Sequence, residues 1–352
     1  MKKLPRAVSA LLIFAAAFSS AQAAGVKWHP GHYVLLATGD TQAAHFRNID
    51  EIGKEPAIKG VEICVWWYEI ERSKGVYDFS RIDAYIAKLK SLPTTKRLVM
   101  RVMDRRFGAT SKTGIVPNYL LTDPIYHGGV VPMNNGTSGY VARLWEAPVM
   151  DRLIALYRAL GSRYNSNATV EAFTTEETVL SLGPVSSWPK GYSSAALEAQ
   201  YERFAKSARL TMPETSVFLY ANFVGSDSLM AKLVQSLVEP NMGVGASNTI
   251  PGSLSSGQKV WTGVTGADYR GLLAIANSVE ALELGGSHGT FTPKQLADFA
   301  YKTLGVNYLF WMRNSWNGGA AQKWSTGILP FLRTNPPTKT GCPSSYGICN
   351  TH

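Results

Sequence analysis

The sequence predicts an α/β fold, a (β/α)8 TIM barrel in a single domain, and three observations carry that prediction. Eight short apolar runs rich in β-branched residues recur along the chain, amphipathic helical patterns fill several of the gaps, and acidic residues close the fourth and seventh runs. Strands alternating with helices argue for a parallel sheet, and eight is the number that closes one into a barrel. A doubly wound open sheet would show a Gly-rich nucleotide loop after an early strand. The segment TGDTQAAH after the first run is not G-x-G-x-x-G.

The elements follow in order. Residues 1–23 read as a secretory signal peptide: a basic start, an apolar stretch from Ala7 to Phe18 and a small-x-small ending at Ala21-Gln22-Ala23. That stretch is too short for a spanning helix. The expected mature protein is therefore secreted or periplasmic, with no membrane insertion after cleavage. The barrel is expected over 24–335. Its strand candidates are 32–39, 60–67, 97–104, 168–177, 216–223, 242–248, 271–280 and 305–313.

Between them, Ile82, Tyr85, Ile86 and Leu89 share one helical face, with Ser80 as a candidate N-cap. Met150, Leu153, Ile154, Tyr157 and Leu160 form a second stripe, which Gly161 is expected to end. Leu197, Tyr201, Phe204 and Ala208 mark a third helix, Leu229 and Leu233 a fourth. Thr292-Pro293 supplies an N-cap and a first-turn proline for the last. The tail over 336–352 is rich in Gly, Pro and Ser, and Cys342 and Cys349 within it would pair in an oxidising compartment. Cys64 sits in a strand pattern and reads as a small buried hydrophobe.

Composition excludes several classes. The formal charge is +10, and removing Lys2, Lys3 and Arg6 with the leader leaves +7. The basic residues are scattered, with neither a block of five nor a stripe interleaved with aromatics, so no nucleic-acid partner is expected. His127 and His288 fall in loops after strands, but there is no H-E-x-x-H and no Cys/His cluster, so no metal and no cofactor are expected. No G-x-S-x-G elbow marks a serine hydrolase.

Barrel enzymes place reacting groups at the C-terminal ends of strands and in the loops beyond. The long segments 105–145 and 178–193 are therefore expected to build a cleft. The fourth strand ends at Glu176-Glu177 and the seventh at Glu280, with Glu283 just beyond. Two carboxyls facing each other across a cleft are the usual machinery for breaking a glycosidic bond. On the seventh strand Leu272, Ala274, Ala276, Ser278 and Glu280 share a small or polar face suited to a barrel interior, while Leu273, Ile275 and Val279 face outward. Glu280 is thus the first choice and Glu283 the second. Alternation does not separate Glu176 from Glu177, and a rim bulge would exchange their faces.

The stretch VWWYEIERSKGVYDFSRIDAYI (65–86) resembles the second-strand region of secreted (β/α)8 glycoside hydrolases of the large retaining clan that includes β-galactosidases and cellulases. Glu71, Gly75, Tyr77, Asp78, Phe79, Ile82 and Asp83 carry the likeness. The stretch 144–178 resembles the segment bearing that clan's acid/base, and NYLFWMR (307–313) its eighth strand, which presents a Trp to the sugar. The resemblance implies a two-glutamate retaining glycosidase acting on an oligo- or polysaccharide, with Glu177 as acid/base; the end of the seventh strand departs from the clan's signature, so Glu280 is the expected nucleophile by alternation rather than by motif. Where the clan has Asn-Glu this chain has Glu176-Glu177, so Glu176 either fills the Asn position or is itself catalytic.

Trp311 and Trp67 are the expected sugar-stacking groups, with Trp66, Trp188 and Trp316 at comparable positions. Arg101, Asn222 and Tyr220 are expected to bind hydroxyls or fix a carboxylate's charge, and Asp104 stands beside Arg101 in sequence. Two alternatives accompany this reading: a barrel that binds an envelope glycan without cleaving it, and a polysaccharide lyase.

Overall fold

Eight parallel strands close on themselves, β1 (Gly31–Leu36), β2 (Ile58–Trp66), β3 (Arg97–Met103), β4 (Val170–Glu177), β5 (Ser216–Tyr220), β6 (Gly243–Ala246), β7 (Ile275–Val279) and β8 (Tyr308–Arg313). The closing pair runs in register from Tyr308 opposite Gly31 to Arg313 opposite Leu36. This computed structural model describes residues 25–134, 136, 138–280, 283–313, 322–337 and 341–352, so the expected leader and Trp316 lie outside the described residues. All eight strand expectations are met, most shortened by one to four residues at an end.

A helix follows every strand: α1 (Gln42–Ile52), α2 (Ser80–Lys90), α3 (Ala147–Tyr164), α4 (Ser194–Thr211), α5 (Asp227–Ser236), α6 (Ser256–Trp261), α7 (Pro293–Asp298) and α8 (Leu329–Thr334). Thr292 and Gln295 form a reciprocal capping box at α7, as do Ser255 and Gln258 at α6. Two expectations are corrected. Ser80 is the first helical residue rather than the cap, and its N–H donates to Asp78. Gly161 does not end α3; it lies where the helix meets α4, and a Cβ there would come within 2.6 Å of the Thr211 carbonyl.

Alternation along the strands divides the apolar residues into two cores. Val34, Val61, Met100, Phe173, Leu219 and Val279 face the helical ring, while Tyr33, Val99, Ala172, Phe218, Tyr220, Ala276 and Phe310 fill the barrel. Strand β6 contributes Gly243 and Gly245 because the rings of Phe218 and Tyr220 occupy the space their side chains would need; a Cβ would lie 2.5 Å and 3.0 Å from them. Large residues on one strand thus fit against bare backbone on the next.

The N-terminal end of the barrel is plugged by Trp28 and Tyr346, whose rings meet edge to face at 5.8 Å. Cys342 and Cys349 are joined as a disulfide, and Cys349–Asn350 pairs with Val26–Lys27, tying the tail to the start of the barrel. At the opposite end, the long segment after β3 folds into an antiparallel sheet of Arg105–Phe107, Gly139–Ala142 and Val130–Pro132 that walls one side of the barrel mouth. Among the described residues no helix is long and apolar enough to cross a membrane.

Candidate active site

At the C-terminal ends of the strands lies a cleft of about 410 Å³, lined by Leu35 to Thr38, Cys64, Arg101, Met103, Phe107, Glu176, Glu177, Ser247, Asn248, Glu280 and Met312. Seven of the eight strands, all but β5, send a residue to it from their ends or the turns just after. The three sequence-predicted carboxylates are all among them.

Strand β4 brings two consecutive carboxylates to one side by breaking its register. Thr174 pairs with Phe218, but Glu177 pairs with Tyr220, so three residues advance against two. A bulge of this kind re-aims side chains at a barrel rim. Glu176 is 4% exposed and Glu177 half-buried, the latter accepting a short hydrogen bond from the Ser247 hydroxyl. Arg105, fully buried, clamps the bulge by donating to the carbonyls of Glu177 and Val179.

Strand β7 behaves as its alternation predicts: Ala274 and Ala276 face inward, and Glu280, just past the strand, opens onto the cleft with 21% of its side chain exposed. Glu283 is fully buried away from the cleft lining, where it accepts the Glu280 backbone N–H at 2.6 Å and contacts His288 Nδ1 at 3.2 Å. Its geometry is that of a support for the turn carrying Glu280.

Beneath the carboxylates, Arg101 is a hub. Its Nε and Nη2 donate to Glu62 at 3.2 and 2.9 Å, its Nη2 also to Ser278 Oγ at 2.6 Å, and its Nη1 to Glu280 at 3.2 Å. The guanidinium lies 4.7 Å from the Tyr220 ring centroid. A fork held at two nitrogens by a buried carboxylate has little freedom left, so it presents its third nitrogen to Glu280 at a fixed place. Glu62, whose second support is the Thr174 hydroxyl at 2.8 Å, was not singled out from sequence. An acid alternating with Cys64 and Trp66 in an apolar strand was the available signal.

Burial sets the protonation of the site. It pushes Glu280 up to about 7, against the pull of Arg101 and with a further push from Glu177. It pushes Glu176 up to about 8, against Arg101 and Arg105 and with help from Asp104 and Glu177. Glu283 rises to about 9 through burial and the neighbouring Glu280. The Cys64 thiol, on the cleft floor, is pushed up by burial and thereby kept from acting as a thiolate.

No family model matches the chain, and no curated protein matches it by sequence. The fold has solved counterparts. The catalytic domain of a β-amylase from Paenibacillus polymyxa is similar with a TM-score of 0.60 and 10% identity, covering 88% of this chain and 98% of that one. An endo-glycoceramidase II from Rhodococcus sp. gives 0.54 and 13%, covering 88% and 80%. A β-galactosidase from Bacillus circulans sp. alkalophilus gives 0.56 and 11%, covering 89% of this chain but 56% of its own length. At such identities the likeness shows the barrel fold, and function has to be argued from the site.

Several expected binding residues are not in the cleft. Trp311 is fully buried on the outward face of β8, packed toward Phe331 at 6.1 Å with its indole N–H on His32, so it offers no face to a sugar. Trp67 is equally buried, because the chain turns helical at that residue and swings it into the outer core, where its N–H meets Glu71 at 2.9 Å. Asn222 spends its side-chain oxygen on the N–H groups of Val179 and Phe223, stapling the loop after β4. Tyr220 lies below the floor, holding Arg101 rather than facing the opening. Arg101 is the one expected binding residue that reaches the cleft.

The exposed aromatic at the opening is instead Phe107, 51% exposed, on the inserted sheet, with the half-buried Trp66 under the Arg106 guanidinium at 5.6 Å on the β2 side. Trp188 is half-buried, its N–H on the Gly183 carbonyl. Ser247 and Asn248 were also missed. They stand at the end of a predicted strand, and only the fold brings them opposite Glu177.

Proposed function

We propose that the chain is a glycoside hydrolase that cleaves O-glycosidic bonds in an oligo- or polysaccharide by a retaining two-glutamate mechanism. The observation that carries this reading is the set of Glu177 and Glu280 lining one cleft at the C-terminal end of a closed barrel, from strands β4 and β7. The β-amylase, endo-glycoceramidase and β-galactosidase with the same fold support the glycoside-hydrolase part of this reading. The leader over 1–23 and the Cys342–Cys349 bond support export to the periplasm or beyond.

In this mechanism Glu177 gives its proton to the leaving glycosidic oxygen while an ionised Glu280 oxygen attacks the anomeric carbon. The C–O bond to the leaving group breaks as the glycosyl–Glu280 ester forms. Glu177, now a carboxylate, takes a proton from water, whose oxygen displaces Glu280 and restores both groups. Arg101 stabilises the ionised Glu280, and Ser247 orients Glu177. Phe107 and Trp66 are the aromatic faces available for sugar stacking.

The test is digestion of a panel of plant and bacterial glycans, followed by reducing-end release. Release by the wild type, lost by several orders of magnitude in Glu177→Gln and Glu280→Gln with folding intact, is the expected result. The replacement of Asn by Glu176 favours one rival, a glycan-binding barrel without chemistry. Binding to a panel member with no release from any would select that rival.

A further inference from the structure

The two-glutamate reaction leaves one carboxyl at the cleft without a task. Glu176 is 4% exposed, lines the opening, and takes part in no hydrogen bond through its carboxyl among the described residues. Its ion contact, Arg105 Nε, stands 3.9 Å away. Arg105 cannot turn to it, because its nitrogens are committed to Asp104 and to the carbonyls of Val179 and Glu177. Arg101 is likewise committed to Glu62, Ser278 and Glu280. The charged groups lining the cleft are Glu176, Glu177 and Glu280 against Arg101, with Asp104 buried behind. This acidity is local, in a chain whose formal charge is +10.

We propose that the cleft selects an amino sugar, with Glu176 as the partner of a substrate ammonium next to the scissile bond; this rests on the hydrolase reading of the same cleft. A buried carboxyl lacking a donor is costly to leave so, and an ammonium brings three N–H donors and the compensating charge. A hydroxyl or an acetamido group at the same carbon brings one donor and no charge. A uronate or sulfated sugar would bring a negative charge to a cleft lined by three carboxyl groups against one arginine, opposing the ionisation that Glu280 needs. A bound cation would also hold Glu280 ionised, the form in which it attacks, by offsetting the push that Glu177 exerts on it.

The experiment measures binding and cleavage separately. Calorimetry on Glu177→Gln compares the tetramers of β-1,4-linked glucosamine, N-acetylglucosamine and glucose, which differ only at C2, together with free glucosamine, galactosamine and glucose. The expected result is amino-sugar binding about 10- to 100-fold tighter than that of the neutral sugars, the worth of a hydrogen bond to a charged group. That preference should collapse when Glu176→Gln is added. Neutral or acetylated sugars binding as tightly as amino sugars, no amino-sugar binding, or a preference untouched by Glu176→Gln would overturn the proposal. Selective amino-sugar binding without reducing-end release by the wild type would uphold it and overturn the hydrolase reading instead. Cleavage of neutral glycans, with Glu176→Gln leaving the substrate ratio unchanged, would do the reverse.

Discussion

Replacing Glu177 by Gln should move the ionisation of a different residue, Glu280, across the cleft. Glu280 stands at about 7 because of burial first, with the Glu177 charge adding to the rise and Arg101 opposing it. As nucleophile it must be ionised, so on a substrate whose leaving group needs no proton donor wild-type kcat/KM should climb with pH on the acid side and level off above about 7. Glu177→Gln deletes a like charge and so must lower that limb. For carboxyls at the roughly 5.5 Å that a retaining pair requires and an effective dielectric of about 20–40, the coupling is about 1.5–3 kcal/mol, or about one to two pH units. The assay uses a dinitrophenyl glycoside of the sugar identified in the panel, whose leaving group departs without a proton donor, with azide to accept the glycosyl group. Absorbance then gives kcat/KM against pH for a variant otherwise too slow to follow. A limb that stays at its wild-type position, or rises, would refute the assignment of that limb to Glu280 coupled to Glu177.

Glu283→Gln should cost less than about tenfold in turnover, since a Gln oxygen can still accept the Glu280 N–H; a loss of several orders of magnitude in Glu283→Gln, with Glu280→Gln keeping wild-type activity, would show that the seventh-strand assignment is reversed. Folding stability should fall between pH 6.5 and 8. Glu176, Glu280 and Glu283 all have folded values above the unfolded one, so their contribution is complete below the unfolded pKa and is lost as pH rises through about 7 to 9. His32 and His45, both lowered, have finished titrating by pH 6.5 and do not oppose the trend there. Denaturant unfolding at several pH values checks the sign, and Glu283→Gln should flatten the slope by up to about 1.4 kcal/mol per pH unit. Opening the Cys342–Cys349 loop, of sequence separation 7, by paired Ser substitutions should cost about 2 kcal/mol in the same measurement without changing kcat.

The barrel was legible because its strands are β-branched runs set between helical stripes, and the two periods rarely coincide. Glu280 was legible because β7 carries small or polar residues on one face and Ile275 and Val279 on the other. Strand β8 lacks that contrast. Tyr308 and Phe310 point inward and Leu309 and Trp311 outward, large apolar side chains on both faces, so nothing in the alternation assigns Trp311 to a side. The resemblance to an eighth-strand tryptophan supplied an answer that the packing overrules. Trp67 was misread for another reason: the strand ends one residue earlier, and the helical turn Trp67–Ile70 reverses the parity. Phe107 was invisible because its place depends on Arg105–Phe107 pairing with Gly139–Ala142, a contact across more than thirty residues of loop.

The pair in TTEETVLS shows why strand parity alone could not choose. On a regular strand one of Glu176 and Glu177 would face the helices, where an unpaired carboxylate is prohibitively costly. The bulge between Thr174 and Glu177 removes that penalty by turning both toward the cleft, and it exposes backbone carbonyls that need donors. Arg105 supplies them, donating to Glu177 and Val179 while its third nitrogen holds Asp104. The same guanidinium that makes two adjacent glutamates tolerable is therefore unable to pair with Glu176 at hydrogen-bond distance. A glutamate in the position of the expected Asn is thus not a passive exchange of one acceptor for another. It carries a local price in buried charge, and the bulge, the clamp and the empty acceptor at the opening leave the missing donor to come from the ligand.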